Sequence, residues 1–268
     1  MAGSHERESP RDSKLTIEAT SYLGKREQEA WINVLGARVD LTPLPDYVTA
    51  DVQRNLKELG FETIIYAPKV DLKTADPISS VQYYLSQLKY RYPNWNSFET
   101  LSDREKEDRT VPRNLEEWYW EQVKIGKISF PNLNGQWMAI ETLDNPAYSK
   151  DTPFARAVEL SGDRNKFSWI TVNSAIEKGK AKVLRQIGLS GRPADLRQLE
   201  VLEWNLAANR FGWGNMDNNE WTNTEYRGDN VFHSSRLIVG TSAARLGWGL
   251  PSVSYGRVGF RAAVVLGP

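Results

Sequence analysis

The chain has no cysteine, and its histidines are only His5 and His233. Without cysteine there is no disulfide, no thiolate nucleophile and no Cys-ligated zinc or iron-sulfur centre. The compartment stays open, because a cysteine-free chain suits reducing and oxidising surroundings alike. Residues 1–5, Met-Ala-Gly-Ser-His, read as an expression-vector remnant, which leaves His233 as the one native histidine. A Ser-His-Asp triad or a His-rich metal site would have to be built on that residue alone, and a surface loop histidine is the plainer reading.

An excess of charge is also lacking: Lys plus Arg and Asp plus Glu both come to 34. No whole-protein field therefore draws nucleic acid or an anionic membrane, and a nucleic-acid partner is not expected. No window approaches the ~20 apolar residues of a membrane span, and the opening residues contain no apolar signal core. Membrane insertion is therefore not expected, and location stays open between the cytoplasm and a virion or cell surface. What the chain does have is a length of 268 residues, 40% apolar content and ten tryptophans, ample for a large core.

In chain order, residues 1–12 are charged and polar and are expected to be disordered. Lys14 to Ala19 alternates polar and apolar residues, as a half-buried strand does. Thr49 is placed to cap a helix running to Leu59, with Val52, Leu56 and Leu59 on one face and Gly60 at the stop position. Phe61 to Tyr66 follows as a strand. Asp76-Pro77 marks the start of a helix whose stripe is Val81, Tyr84, Leu85 and Leu88. The mixed-charge run Asp103 to Arg109 reads as a solvated face, and Arg113 to Lys124 as a helix whose Trp118 and Trp120 face the core. Gly135 to Glu141 is a strand. Thr171 or Asn173 is expected to cap a helix containing Ala175, Ile176, Val183 and Ile187, and a further helix is expected from Ala194 to Asn209.

The last third decides the functional reading. It contains Leu199-Glu200-Val201-Leu202-Glu203-Trp204-Asn205-Leu206-Ala207-Ala208, then Asn219-Glu220-Trp221-Thr222, then Arg236-Leu237-Ile238-Val239-Gly240, then Val258-Gly259-Phe260-Arg261. Between the last two strings, residues 242–257 carry no acid and no lysine and follow neither helical nor strand periodicity. Residues 215–226 are crowded with Asn, Asp, Trp and Tyr. Aromatics mixed with Ser, Gly and Asn are paratope chemistry, rigid contact area combined with adaptable hydrogen bonding.

These four strings, in this order, resemble the skeleton of the C-type lectin fold of the formylglycine-generating enzyme (sulfatase-modifying factor) type. With the paratope-like segments between them, the chain resembles the variable protein of a diversity-generating retroelement. The resemblance implies an α+β, C-type lectin-like domain over residues 128–268, with an N-terminal α/β elaboration over 13–127 packed on it and a variable region at about 209–261. In such proteins codons are rewritten at adenines. A codon AAC so treated never yields Lys, Glu or Gln, and residues 242–257 contain none of them. The implied function is non-enzymatic binding of varied macromolecular ligands, chiefly proteins, without a cofactor or metal. The implied contacts are Trp221, Asn223, Tyr226, Asp229, Asn230, Ala243, Ala244, Leu246, Trp248, Leu250, Ser254 and Tyr255, of which Trp221 also fits a supporting role inside the family string.

Rival chemistries are weaker. Formylglycine-generating enzymes use a cysteine pair, which this chain lacks, so an enzyme or enzyme remnant of that kind is the alternative and a structural or adhesin subunit comes third. Glu200, Glu203 and Glu220 fit acid-base work less well than structural positions in the family strings. Gly240, Gly247, Gly249 and Gly256 match no phosphate-loop spacing and read as turn formers. Asp217 to Glu220 offers oxygen ligands for calcium but reads as ordinary turn chemistry. The lack of cysteine yields a first prediction. Incubated with copper or iron, oxygen and thiol-bearing peptides, the protein should give no oxidised peptide by mass spectrometry, and turnover there would overturn the binder reading.

Overall fold

The computed structural model describes residues 22–33, 38–69, 115–129, 134–142, 152–162, 167–211, 219–227, 234–240, 246–254 and 258–267. Within them the chain is a mixture of helix and sheet. In order it forms α1 (22–33), α2 (Ala50–Glu58), β1 (Thr63–Lys69), α3 (Leu115–Lys124), β2 (Asn134–Ile140), α4 (Pro153–Ala157) and α5 (Trp169–Ile187). Then come β3 (Asp195–Gln198), α6 (Val201–Phe211), β4 (Asn219–Arg227), β5 (Ser234–Gly240), β6 (Leu246–Gly249), β7 (Val258–Phe260) and β8 (Ala262–Val265). The expected strand at 14–19, the helix after Asp76 and the charged run at 103–109 lie outside the described residues.

The helix signals near residue 50 act as read. The Thr49 side chain accepts from the Val52 amide at 3.3 Å, Val52 and Leu56 are buried, and Gly60 takes the left-handed conformation at φ 91°. Such a cap contributes about 1 kcal/mol. For α5 the cap is Ser168 and not Thr171 or Asn173, because the Ser168 hydroxyl accepts from the Thr171 amide at 3.3 Å. Starting the helix at Trp169 puts Trp169, Val172, Ile176, Val183 and Ile187 on one buried stripe, worth about 1.5–3 kcal/mol for each large apolar side chain. At its far end Gly188, at φ 93°, satisfies the last carbonyls by donating to Arg185, as Leu189 does to Leu184.

The expected helix from Ala194 is divided. Residues 195–198 are taken by β3, which pairs antiparallel with β8 from Asp195↔Val265 to Gln198↔Ala262, and α6 begins only at Val201. The capping chemistry sets that start. Glu200 is the cap residue, its carbonyl accepting from Trp204 N at 2.8 Å, and Glu203 reaches back to accept from Glu200 N at 2.9 Å.

Two four-stranded sheets organise the chain, one in the order β1-β2-β8-β3 and the other in the order β6-β5-β4-β7. The first is antiparallel throughout and buried on both faces. Ile64, Tyr66, Trp137, Ala139, Ala262 and Val264 face a core shared with α2, α4 and α5, while Ile65, Met138, Ile140 and Ala263 face a second core shared with α3 and α6. Two covered faces explain why β8 reads as an unbroken apolar run. β1 comes from before Ile128 and pairs with β2 from Thr63↔Ile140 to Lys69↔Asn134, so the N-terminal segment shares this sheet with the later chain. In the second sheet β4 pairs antiparallel with β5 and parallel with β7.

Arg261 stands where the chain leaves β7 in one sheet and enters β8 in the other. It is 1% exposed, and its Nε and Nη2 donate to the two Glu220 carboxylate oxygens at 3.2 and 3.0 Å. Its Nη1 donates to the Glu141 carbonyl at 2.7 Å, just past β2. Trp204 Nε1 donates to Glu220 Oε2 at 2.9 Å, bringing α6 to the same point. Glu141 in turn accepts from Thr152 Oγ1 and from Ala262 N. Removing one member strands a buried charge, so Glu220→Ala or Arg261→Ala should cost about 3–5 kcal/mol in urea unfolding, and Trp204→Ala or Phe260→Ala about as much. A near-neutral result for Arg261→Ala would show that the network does not hold the sheets together.

Candidate functional site

The sequence-expected contacts fall at three kinds of position. Trp221 is 1% exposed and part of the main core, so it supports the fold and is not a contact. Its burial follows from its place on β4, where it pairs with both Ile238 and Phe260. Asn223 is half-buried and turned inward, donating through Nδ2 to Glu200 Oε1 at 2.9 Å. Tyr226 is half-buried with its ring edge-on to Trp118, centroids 5.2 Å apart. The pairing of β4 with β5 is irregular between Trp221 and Glu225.

Residues 246–249, expected to be irregular, form the short strand β6 beside β5, in register from Arg236↔Gly249 to Val239↔Leu246. Leu246 and Trp248 are in that strand, as are Gly247 and Gly249, which are therefore strand residues and not turn formers. Four residues are too few to display alternation, and the pairing edge of β5 supplies what periodicity does not. Residues 215–226 are likewise not irregular throughout, since β4 starts at Asn219. Asp229, Asn230, Ala243, Ala244 and Tyr255 lie outside the described residues, as do Asp217 and Asn218 of the calcium reading.

Leu250 and Ser254 are exposed, and they belong to a feature that sequence reasoning missed. The turn at 250–254 closes with Val253 N donating to the Leu250 carbonyl at 3.0 Å, and the Ile170 amide donates to the Pro251 carbonyl at 2.9 Å. Three large apolar side chains are thereby exposed together: Ile170 at 46%, Leu250 at 41% and Val253 at 38%. The signal for Ile170 was available, because it is off the buried stripe of α5 that begins with its neighbour Trp169.

Beside this edge is a polar cleft of about 330 Å³. It forms where the start of α6 meets β4, β5 and the edges of β2 and β3. Arg197 donates to both oxygens of Glu203 at 2.6 Å, and Glu203 also accepts from Gln136. Burial works against the Arg197 cation, but Glu203 overrides it and holds its pKa above the ordinary value. Glu200 accepts from Asn223 Nδ2 and from Thr224 Oγ1, and Thr224 Oγ1 in turn accepts from Val201 N at 3.0 Å. Burial pushes the Glu200 carboxyl above the usual carboxylate range, with the Thr224 hydrogen bond opposing it. Burial also pushes up the Tyr119 phenol, which stays protonated.

Arg236 spans the cleft and the apolar edge. Its guanidinium is 3.9 Å over the Trp169 ring, and Nη1 donates to the Asn223 carbonyl at 2.6 Å. Burial lowers its pKa from the arginine value. No local pattern in the sequence announces this stack, since Arg236 and Trp169 meet only through the fold. Among the described residues, no group of three or more His, Asp or Glu side chains is placed to hold a metal ion. Also among them, no helix is long and apolar enough to cross a membrane.

Comparison with known proteins finds no matching family model, no matching curated protein and no matching solved structure.

The raised pKa of Glu200 carries a pH dependence. Between the unfolded carboxyl pKa of about 4.3 and the higher folded value, the native state binds the extra proton. Stability from this group is full below the unfolded pKa and is lost as pH rises through the folded one. Glu200→Gln removes that loss, so urea unfolding at several pH values should show the variant gaining on the parent from mildly acid to neutral pH. Parallel curves for the two proteins would rule out the assignment to Glu200.

Proposed function

We propose that the chain is a non-enzymatic binder of macromolecular ligands, with a C-type lectin-like fold of the formylglycine-generating enzyme type whose C-terminal surface is varied by a retroelement. The exposed edge of Ile170, Leu250 and Val253 carries this reading. Three exposed apolar side chains on one turn and the helix start bonded to it offer anchors for a protein ligand. Serines flank one of them: Ser252 and Ser254, both exposed, stand on either side of Val253. Apolar anchors among small hydroxyl residues suit recognition of a protein surface.

The fold part of the proposal is supported by where the four sequence strings go. Trp204 from the first, Glu220 from the second and Arg261 from the fourth share hydrogen bonds in one buried network. Thr222 Oγ1 of the second string donates to the Leu237 carbonyl of the third at 2.9 Å. Segments distant in sequence thus interlock through the residues that define the strings, as parts of a common scaffold would. The turn at 250–254 is joined to the scaffold by a backbone hydrogen bond, and its Leu250, Val253 and Ser254 side chains are exposed.

Two measurements test the proposal. The source DNA should carry a reverse-transcriptase gene and a near-copy of the stretch coding for residues 209–261, differing mostly at adenines; a locus lacking both would remove the retroelement from the reading. In the protein, Leu250→Asp, Val253→Asp and Ser254→Tyr should each shift unfolding by no more than about 0.5 kcal/mol, as exposed substitutions do. Cooperative unfolding lost in the triple variant would show the edge to be part of the core.

A further inference from the structure

We propose that the polar cleft at the start of α6 is a binding site for a small zwitterion of the α-amino acid kind, with the ligand's ammonium group on Glu200 and its carboxylate on Arg236. This site does not depend on the binding-edge reading, since no residue of the 250–254 turn lines the cleft. At about 330 Å³ it is at the small end of ligand pockets and admits an amino acid with a short side chain.

The argument follows from which charges are already spent. Arg197 and Glu203 close on each other through two hydrogen bonds of 2.6 Å, and Glu200 N and Gln136 occupy more of the Glu203 carboxylate. That pair is a fixed wall. Among the described residues Glu200 receives the neutral donors Asn223 Nδ2 and Thr224 Oγ1, and a carboxylate has about four lone-pair sites. Among the described residues no lysine or arginine is hydrogen-bonded to it. Arg236 is the mirror case, with one N–H on the Asn223 carbonyl, its face on Trp169, and no carboxylate hydrogen-bonded to it among the described residues; Glu225, its register partner on β4, also lines the cleft but is ion-paired with Arg227 at 3.6 Å.

Asn223 sets the spacing. Its side-chain amide donates to the acid and its backbone carbonyl accepts from the base, so a single residue holds the two opposite charges in the same cleft without letting them pair. Stacking on Trp169 fixes the guanidinium; Nη1 is taken by the Asn223 carbonyl and Nε is buried, so Nη2 is the donor that would meet a ligand carboxylate. A ligand with one charge leaves one of the two groups unmatched; a zwitterion matches both.

Titration calorimetry of the full chain with L-alanine, ethylamine and propionate tests the site. L-Alanine should bind, and ethylamine and propionate, each carrying one of the two charges, should bind about tenfold or more weakly. Glu200→Gln and Arg236→Gln should each weaken L-alanine by about tenfold or more while circular dichroism stays that of the parent. In the unaltered protein, amide spectra should show L-alanine shifting Asn223 and Thr224 and the Trp169 indole, a readout that survives if either variant fails to fold. No heat and no shifts at millimolar L-alanine, shifts confined to other regions, or ethylamine binding as tightly as L-alanine would each overturn the proposal.

Discussion

The buried pair of Glu220 and Arg261 is the constraint on which the two-sheet arrangement depends. Arg261 is the single residue between β7 and β8, so it stands where one strand ends in the second sheet and the next begins in the first. From there its guanidinium bonds to Glu220 on β4 and to the carbonyl after β2, one partner in each direction. Burying two charges is expensive, and an apolar replacement of both often costs nothing in stability. What the pair gives is definition: a fork of donors matched to a carboxylate fixes orientation in a way that apolar packing does not. With Trp204 bonded to the same carboxylate, α6 and both sheets are set by one group.

That arrangement separates two kinds of surface. The turn at 250–254 follows β6 and is joined to the start of α5 by a backbone hydrogen bond, with Leu250, Val253 and Ser254 exposed. The cleft is different, because its residues hold one another. Glu200 caps α6, Thr224 links that cap to β4 through Val201 N, and Arg197 ties β3 to α6 through Glu203. Truncating one of these side chains to alanine removes a hydrogen bond that places the start of the helix or one of the two strands.

Much of the scaffold was legible in the sequence because it rests on local chemistry. Thr49 followed by an apolar stripe and Gly60 names a helix and both its ends, and Gly135 to Glu141 carries the burial of β2. The start of α5 was misplaced because Ser168, Thr171 and Asn173 are all good caps and only packing chooses among them; beginning at Trp169 puts that ring in the core. Residues 194–198 were misread for a different reason, since a sequence compatible with helix was captured by the free edge of β8. β6 was invisible for the same reason, a four-residue strand made by its neighbour. Of the site, Glu200 and Glu203 were visible as structural carboxylates, whereas Arg236 over Trp169 joins residues far apart in sequence and has no local signature.

The two surfaces also differ in what physical property they could sustain. An exposed apolar edge gains affinity from area and shape, and such contacts can be altered one residue at a time with small effects on the fold. A cleft of fixed opposite charges gains selectivity from unmatched groups, because a ligand lacking one charge leaves a desolvated carboxylate or guanidinium without its counterpart. The first tolerates diversity and the second resists it. Asn223 stands at the boundary: expected from sequence as a variable contact, it is bonded on one side to Glu200 and on the other to Arg236. A histidine, tyrosine or serine in its place changes the side-chain bond to Glu200 but retains the backbone bond to Arg236. Variation at this position would therefore loosen the acid and keep the base in place, so the proposed diversification and the proposed small-ligand site would draw on the same residue.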